Sequence, residues 1–350
     1  MNDQYIKFTK FNEDINLDKF SIDQERILFE DFVENGKVKF SRVSTKYEVS
    51  FQKAEVFSKD KIPLIIPIRN LSGLLEYTLA NLQKFEATDH VNIFVVDDRS
   101  DESIKEECDK YDFVSYIRCD YNSGFNYAML ANLAALISFK LGFKEIIYWN
   151  SDMYLPDTST LPSLIQKHRN DKPVISGTKL LYPFEGWKID QEVTNEGSMD
   201  RSSLQQLMLQ KSHMGKVQFG GPGFNIHNNN INFFHACRGF AKDNIYVNVD
   251  KGCHAVTGAY SMMDLEWLVS VGGFNPSLAK IYNDIDICLR ACEQRKAVVY
   301  YGKDTFLYHE ESVNLNNNTG EPKVDHQFNS DAVLFSKLWH INRFNQATMF

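Results

Sequence analysis

From residue 61 onward the apolar residues gather into short runs of strand character, at 62–68, 91–96, 113–117 and 145–149, bounded by charged or turn-forming residues. Helical stripes lie between them. Ser72 opens one with Leu75, Leu79 and Leu82 in phase, and Ser100 caps a polar one reaching about residue 110. Residues 126–141 are apolar on most faces through Met129, Leu130, Leu133, Leu136 and Ile137, which predicts a well-buried helix. This alternation predicts an α/β fold: a doubly wound, mostly parallel sheet flanked by helices, with right-handed crossovers.

The flanks are less regular. Residues 21–35 read as a short helix, with Ser21 as cap and Ile27, Leu28, Phe29 and Phe32 as apolar positions, and residues 38–57 alternate as a β-hairpin does. Residues 1–60 are therefore expected to form an extension that covers an edge of the main domain or mediates association. Residues 61–155 form one half of that domain and 156–350 the other. In the second half a loop and helix at 156–168 precede a strand at 173–178, after which the pattern degrades over 188–249. Loop-forming Gly220-Gly221-Pro222-Gly223 and Asn228-Asn229-Asn230 stand there beside Phe233, Phe234 and Phe240. That stretch suits sugar recognition and a plain surface insertion equally. Pattern returns with Thr257-Gly258-Ala259-Tyr260, a helix at 264–271, a stripe of Ile285, Cys288, Leu289 and Cys292, strands at 298–301 and 305–308, and a helix at 325–339.

With 350 residues and 43% apolar content the chain can build a large core. Its net charge of −8 argues against a non-specific nucleic-acid binder. The first fifteen residues lack the apolar centre of a secretory signal, and no run approaches the roughly 20 residues of a membrane span. A cytoplasmic location is expected. Six scattered cysteines without a CxxC pair then read as reduced thiols, with Cys288 and Cys292 as small core residues. A zinc site from His235, Cys237, Cys253 and His254 fits no metal spacing.

Just past the four strand ends lie Arg69-Asn70, Asp97-Asp98-Arg99-Ser100, Asn122-Ser123-Gly124 and Asn150-Ser151-Asp152. Ligands of such sheets bind at that edge. There is no GxGxxG after the first strand and no phosphate-binding GxxxxGK[ST] anywhere. The edge offers carboxylates instead, and these repel phosphate unless a cation stands between them. Hard oxygen donors at Asp152 suit Mg²⁺ or Mn²⁺; a simple polar turn is the competing reading. Asp284, at the start of a helical stripe, reads equally as an electrostatic cap.

Ile66-Pro67-Ile68-Arg69-Asn70, Val96-Asp97-Asp98-Arg99-Ser100, Asn122-Ser123-Gly124-Phe125-Asn126-Tyr127-Ala128 and Trp149-Asn150-Ser151-Asp152 together resemble, in order, the motifs of family 2 glycosyltransferases with the GT-A fold. Gly272-Gly273-Phe274 followed by Asn283-Asp284-Ile285-Asp286 and Arg290 resembles the late motif of that family, and His309 with Ser312 its His-x-x-Ser element. The resemblance implies an inverting, metal-dependent transfer of a sugar from a nucleoside-diphosphate sugar to a hydroxyl of a glycan or lipid-linked acceptor. By the same resemblance Asp97 and Asp98 grip the nucleoside, while Pro67, Arg69, Asn70, Asn122, Gly124, Asn150 and Ser151 contact the donor. Asp152 and His309 then hold Mn²⁺ or Mg²⁺, Asp284 is the general base, and Gly258, Asn283, Asp286 and Arg290 complete the acceptor side. Asn150 and Asn283 stand where the family carries acids. The usual setting is bacterial surface-polysaccharide synthesis, with peripheral association at the inner face of a membrane left open. A sugar-phosphate nucleotidyltransferase and a degenerate, non-catalytic sugar-binding scaffold are the alternatives.

Overall fold

The computed structural model describes residues 6–33, 37–101, 104–183, 214–227, 230–310 and 326–348. Its centre is four strands: β3 (Ile62–Ile68), β4 (Val91–Asp98), β5 (Val114–Tyr121) and β6 (Glu145–Trp149). They run parallel in the order β5-β4-β3-β6. Every residue of β3 and β4 is buried, which explains why both read as continuous apolar runs rather than alternating ones. The prolines of β3 flank Leu64–Ile65, the stretch paired to β6, so neither leaves a gap in the middle of that ladder.

Helices α1 (Ser72–Lys84), α2 (Ile104–Cys108) and α3 (Tyr127–Lys140) make the crossovers. The Asn126 side chain accepts from the Met129 amide at 3.0 Å and so caps α3, which is buried nearly all round as its composition predicts. Beyond β6 the sheet continues through β14 (Tyr260–Asp264), β8 (Ile175–Thr178), β15 (Val298–Tyr301) and β13 (Asp250–Gly252) with mixed directions. A second sheet joins β7 (Met153–Tyr154), β16 (Leu307–His309), β9 (Leu180–Leu181) and β10 (Val217–Phe219). Helix α4 (Thr160–Asp171) follows β7, and α5 (Leu265–Ser270), α6 (Asn283–Glu293), α7 (His326–Leu338) and α8 (Ile341–Thr348) complete the second half. Part of the irregular stretch, 184–213, lies outside the described residues. Its remainder includes a hairpin of β11 (Pro222–His227) and β12 (Asn230–His235), in which Phe233 packs on Phe335 and Phe344 while Phe234 stays exposed.

The helix expected at 21–35 is not there. Residues Lys19–Val33 form strand β1, paired antiparallel with β2 (Lys37–Gln52). Ile22, Gln24 and Arg26 are buried, while Ser21, Asp23 and Glu25 are exposed. That is a period of two, masked in the sequence because the inward positions include Gln and Arg. β2 in turn pairs antiparallel with β5, so the extension lengthens the central sheet at its edge. The hairpin expected within 38–57 is thus one arm of a longer one.

Candidate active site

The rim is built from the carboxyl ends of β4, β3 and β6. Asp97 and Asp98, adjacent and both buried, have opposite fates. Asp97 accepts from the Ser100 amide at 2.9 Å, the Tyr116 hydroxyl at 2.5 Å and the Arg118 guanidinium at 2.8 Å. Its oxygens are committed to holding the β4–α2 turn and β5 together. Neither oxygen of Asp98 has a hydrogen-bond partner. Arg99 and Arg69 stand 3.7 and 3.9 Å away, too far to satisfy it. Burial raises the pKa of Asp98, against the pull of the Tyr121 hydroxyl and the two arginines. Asn70 does not point outward: its side-chain oxygen accepts from the Asp101 amide, and its own amide donates to Ser100 Oγ. Arg69, Asn122 and Gly124 are exposed at the same edge.

Asp152 follows β6 in a turn closed by Met153 N–H donating to the Asn150 carbonyl. Helix α1 fixes that turn: Thr78 Oγ1 donates to the Ser151 carbonyl at 2.5 Å, and Asn81 exchanges hydrogen bonds with the Leu155 backbone. His309 arrives by strand register. β16 pairs with β7 so that His309 opposes Met153, and Glu310 N–H donates to the Asp152 carbonyl. His309 Nε2 then lies 3.2 Å from Asp152 Oδ1. The other ring nitrogen, Nδ1, sits 2.6 Å from Gln218 Oε1, and Gln218 Nε2 donates to the His309 carbonyl. The Gln218 oxygen can only accept, so Nδ1 carries a proton and Nε2 is the ring atom turned to the carboxylate. Asp152 Oδ1 has no hydrogen bond and is buried.

At that distance the oxygen and the nitrogen share either a proton or a cation. One hard oxygen and one imidazole nitrogen, the ring oriented by the Gln218 amide, are a donor pair that fits a divalent ion. Among the described residues no group of three or more His, Cys, Asp or Glu could hold one, so such an ion would take its remaining donors from a bound ligand. Ser312, matched to the same element, lies outside the described residues.

Asp284 opens α6. Its Oδ2 accepts from Gly258 N–H at 2.8 Å and its Oδ1 from Ile285 N–H at 2.9 Å. Gly258 precedes Ala259, whose carbonyl accepts from Asn150 N–H. The base candidate and the Asp152 turn are thus joined through three residues of backbone. Desolvation raises the pKa of Asp284 despite both amide bonds, so burial outweighs the acidifying helix terminus. The three matched neighbours do not reach the rim. Asn283 is buried and donates to the Leu278 carbonyl. Asp286 accepts from Arg290 Nε at 3.0 Å and Trp339 Nε1 at 2.9 Å, and Arg290 also donates to the carbonyls of Val271 and Gly273. This network staples α6 to α7 and to the Gly272-Gly273 turn. A hollow of about 720 Å³ lined by Phe224, Lys251, His254, Cys292 and Arg295 lies away from the rim and includes none of its residues. It takes Cys253 and His254 but neither His235 nor Cys237, so the zinc set is not gathered.

The profile of Glycosyl transferase family 2 matches residues 64–238, half of the chain, and the protein belongs to that family. Its mostly parallel central sheet flanked by helices is the α/β architecture expected from the sequence. Among solved structures it is similar to GalNAc-T7 with UDP, GalNAc and Mn²⁺, at 11% identity and a TM-score of 0.48, over 71% of this chain and 43% of that one. The S. aureus TarS 1–349 structure is similar at 14% and 0.45, over 72% and 61%. The mannosyltransferase PcManGT from Pyrobaculum calidifontis with GDP-Man and Mn²⁺ follows at 12% and 0.43, over 83% and 73%. The chain thus spans less than two thirds of the first two. None of the curated proteins compared matches it. No helix among the described residues is long and apolar enough to cross a membrane.

Proposed function

We propose that the rim carries an inverting, metal-dependent transfer from a nucleoside-diphosphate sugar to a hydroxyl of a glycan or lipid-linked acceptor. The observation that carries this reading is the buried Asp152 oxygen 3.2 Å from His309 Nε2 at the end of β6, with Gln218 orienting the ring. Asp152 and His309 would hold Mn²⁺ or Mg²⁺ there. When bound, the ion supplies Lewis-acid neutralisation of the departing diphosphate. Asn150 brings no charge to this turn, so the site is less anionic than one built on two carboxylates.

Asp98 accepts from the nucleoside of the donor. Asp284 takes the proton of the acceptor hydroxyl as its oxygen attacks the anomeric carbon; the bond to the diphosphate oxygen breaks as the new glycosidic bond forms. One base and direct displacement give inversion. A raised pKa suits this role, because a stronger base accepts the proton more readily.

The test is release of nucleoside diphosphate from a panel of nucleotide-sugars, with and without Mn²⁺. Metal-dependent release that vanishes in Asp152→Ala supports the reading. A nucleotidyltransferase would instead form a nucleotide-sugar from a nucleoside triphosphate and a sugar phosphate, and a scaffold would bind donor without turnover. A cytoplasmic location beside a membrane, in surface-polysaccharide synthesis, remains part of this proposal.

A further inference from the structure

The family match begins at residue 64, leaving the β1–β2 hairpin outside it. The hairpin nevertheless supplies side chains to the donor end of the rim. Tyr47 of β2 stands opposite Tyr121 of β5, with ring centroids 4.6 Å apart. The other face of the stack is taken by Arg99, whose guanidinium lies 4.0 Å over Tyr121 and donates to the Tyr121 and Ser123 carbonyls. Arg26 lies further along the same buried face of β1. Burial holds the Tyr47 phenol up at about 12, with Arg26 pulling against it and Asp98 adding to it, so all three groups feel one another.

Unsatisfied groups collect here. Nε and Nη1 of Arg26, the hydroxyls of Tyr47 and Tyr121, both oxygens of Asp98 and Nε of Arg99 are buried without a hydrogen-bond partner. They make up seven of the fourteen such atoms among the described residues. Such groups are costly if nothing ever satisfies them, and native folds leave few. The cluster presents donors, a guanidinium and two phenols, around a carboxylate acceptor. Its complement is a ligand with hydroxyls to donate and carbonyls to accept, as a ribosyl base has.

We propose that the N-terminal hairpin is part of the donor site: Arg26 and Tyr47 join Tyr121 and Asp98 in holding the donor's nucleoside, and so help set which nucleotide is accepted. This rests on the nucleotide-sugar reading above. Arg69, 41% exposed, stands 3.9 Å from Asp98 at the solvent side of this cluster.

Calorimetric titration of UDP, GDP, CDP, ADP and dTDP, each with Mn²⁺, and of inorganic pyrophosphate with Mn²⁺, tests it on wild type, Tyr47→Phe and Arg26→Gln. The best nucleotide should weaken about fivefold in Tyr47→Phe and about tenfold in Arg26→Gln, with pyrophosphate affinity unchanged. The free Tyr47→Phe protein should melt close to wild type, since the buried hydroxyl makes no well-formed hydrogen bond. Unchanged nucleotide affinity in both variants, or a parallel fall for pyrophosphate, overturns the proposal while the nucleotide-sugar reading stands. A wild type that binds none of the nucleotides removes that reading and the proposal with it.

Discussion

The rim and the start of α6 each carry a pair of nearby carboxylates, and in each pair one member is tied to other side chains while its neighbour is not. At the rim Asp97 is filled by Ser100, Tyr116 and Arg118, whereas Asp98 is empty. On α6 Asp286 is filled by Arg290 and Trp339, whereas Asp284 has only backbone amides and a raised pKa. The difference separates the carboxylates whose side-chain partners hold the fold from those to which the proposed function gives a ligand. A filled acid has its lone pairs spent on partners that stay put. An empty, desolvated one raises the energy of the free protein and regains it when substrate or cation arrives. Both members of a pair look alike in sequence, and only their partners tell them apart.

The comparison breaks first at Asp284. Asp284→Asn should lower transfer about 10³-fold, within the range of a general base, with nucleotide affinity unchanged. The variant should not be less stable near neutrality. With a folded-state pKa above the unfolded one, the native protein binds the extra proton between the two values, so stability attributable to Asp284 declines as pH rises through that window. The amide has no such dependence. Thermal melts from pH 3 to 7 check this, and a steep loss of stability in Asp284→Asn would place it with the filled acids. Asp286→Ala should behave oppositely. It strands the buried Arg290 guanidinium and should cost about 3–5 kcal/mol, read as a fallen unfolding midpoint, with near-normal turnover per folded molecule. Gln218→Leu releases the His309 tautomer and should weaken Mn²⁺-dependent nucleotide binding about 10–100-fold, with little change in metal-free binding.

The four central strands, their crossover helices and the edge where polar residues accumulate were legible, because fully buried parallel strands write themselves as unbroken apolar runs. The parts that escaped depend on pairing between distant segments. The sequence of β1 reads as a helix because Gln24 and Arg26 occupy inward positions, and only the register with β2 makes them so. Gln218 is invisible in sequence: nothing about a glutamine in an irregular stretch announces a histidine 91 residues away. Thr78 and Asn81 pass for ordinary polar positions on α1 until the Asp152 turn is laid against them. Conversely Asn283, Asp286 and Arg290 match a catalytic motif in letters, yet their side chains face the interior. Spacing along one helix places them near the base without saying which way they point.

The finest distinction is at Gly258. A Cβ there would stand 3.3 Å from the Asp284 Cβ and 3.4 Å from its Oδ2, so the carboxylate has to yield by a few tenths of an ångström. That movement lengthens the Gly258 amide bond to Oδ2, the largest of the backbone hydrogen bonds holding the Asp284 pKa down against burial. Gly258→Ala should therefore move the acid limb of the kcat/KM profile upward, since a weaker amide bond leaves desolvation less opposed. Turnover at neutral pH should fall by only about two- to fivefold, because a 1 kcal/mol change in positioning is about fivefold in rate. Nucleotide affinity should stay as it is. A limb that stays put while turnover falls would mean that the glycine serves acceptor access rather than the acidity of Asp284. The two cases separate in a single pH series on one variant.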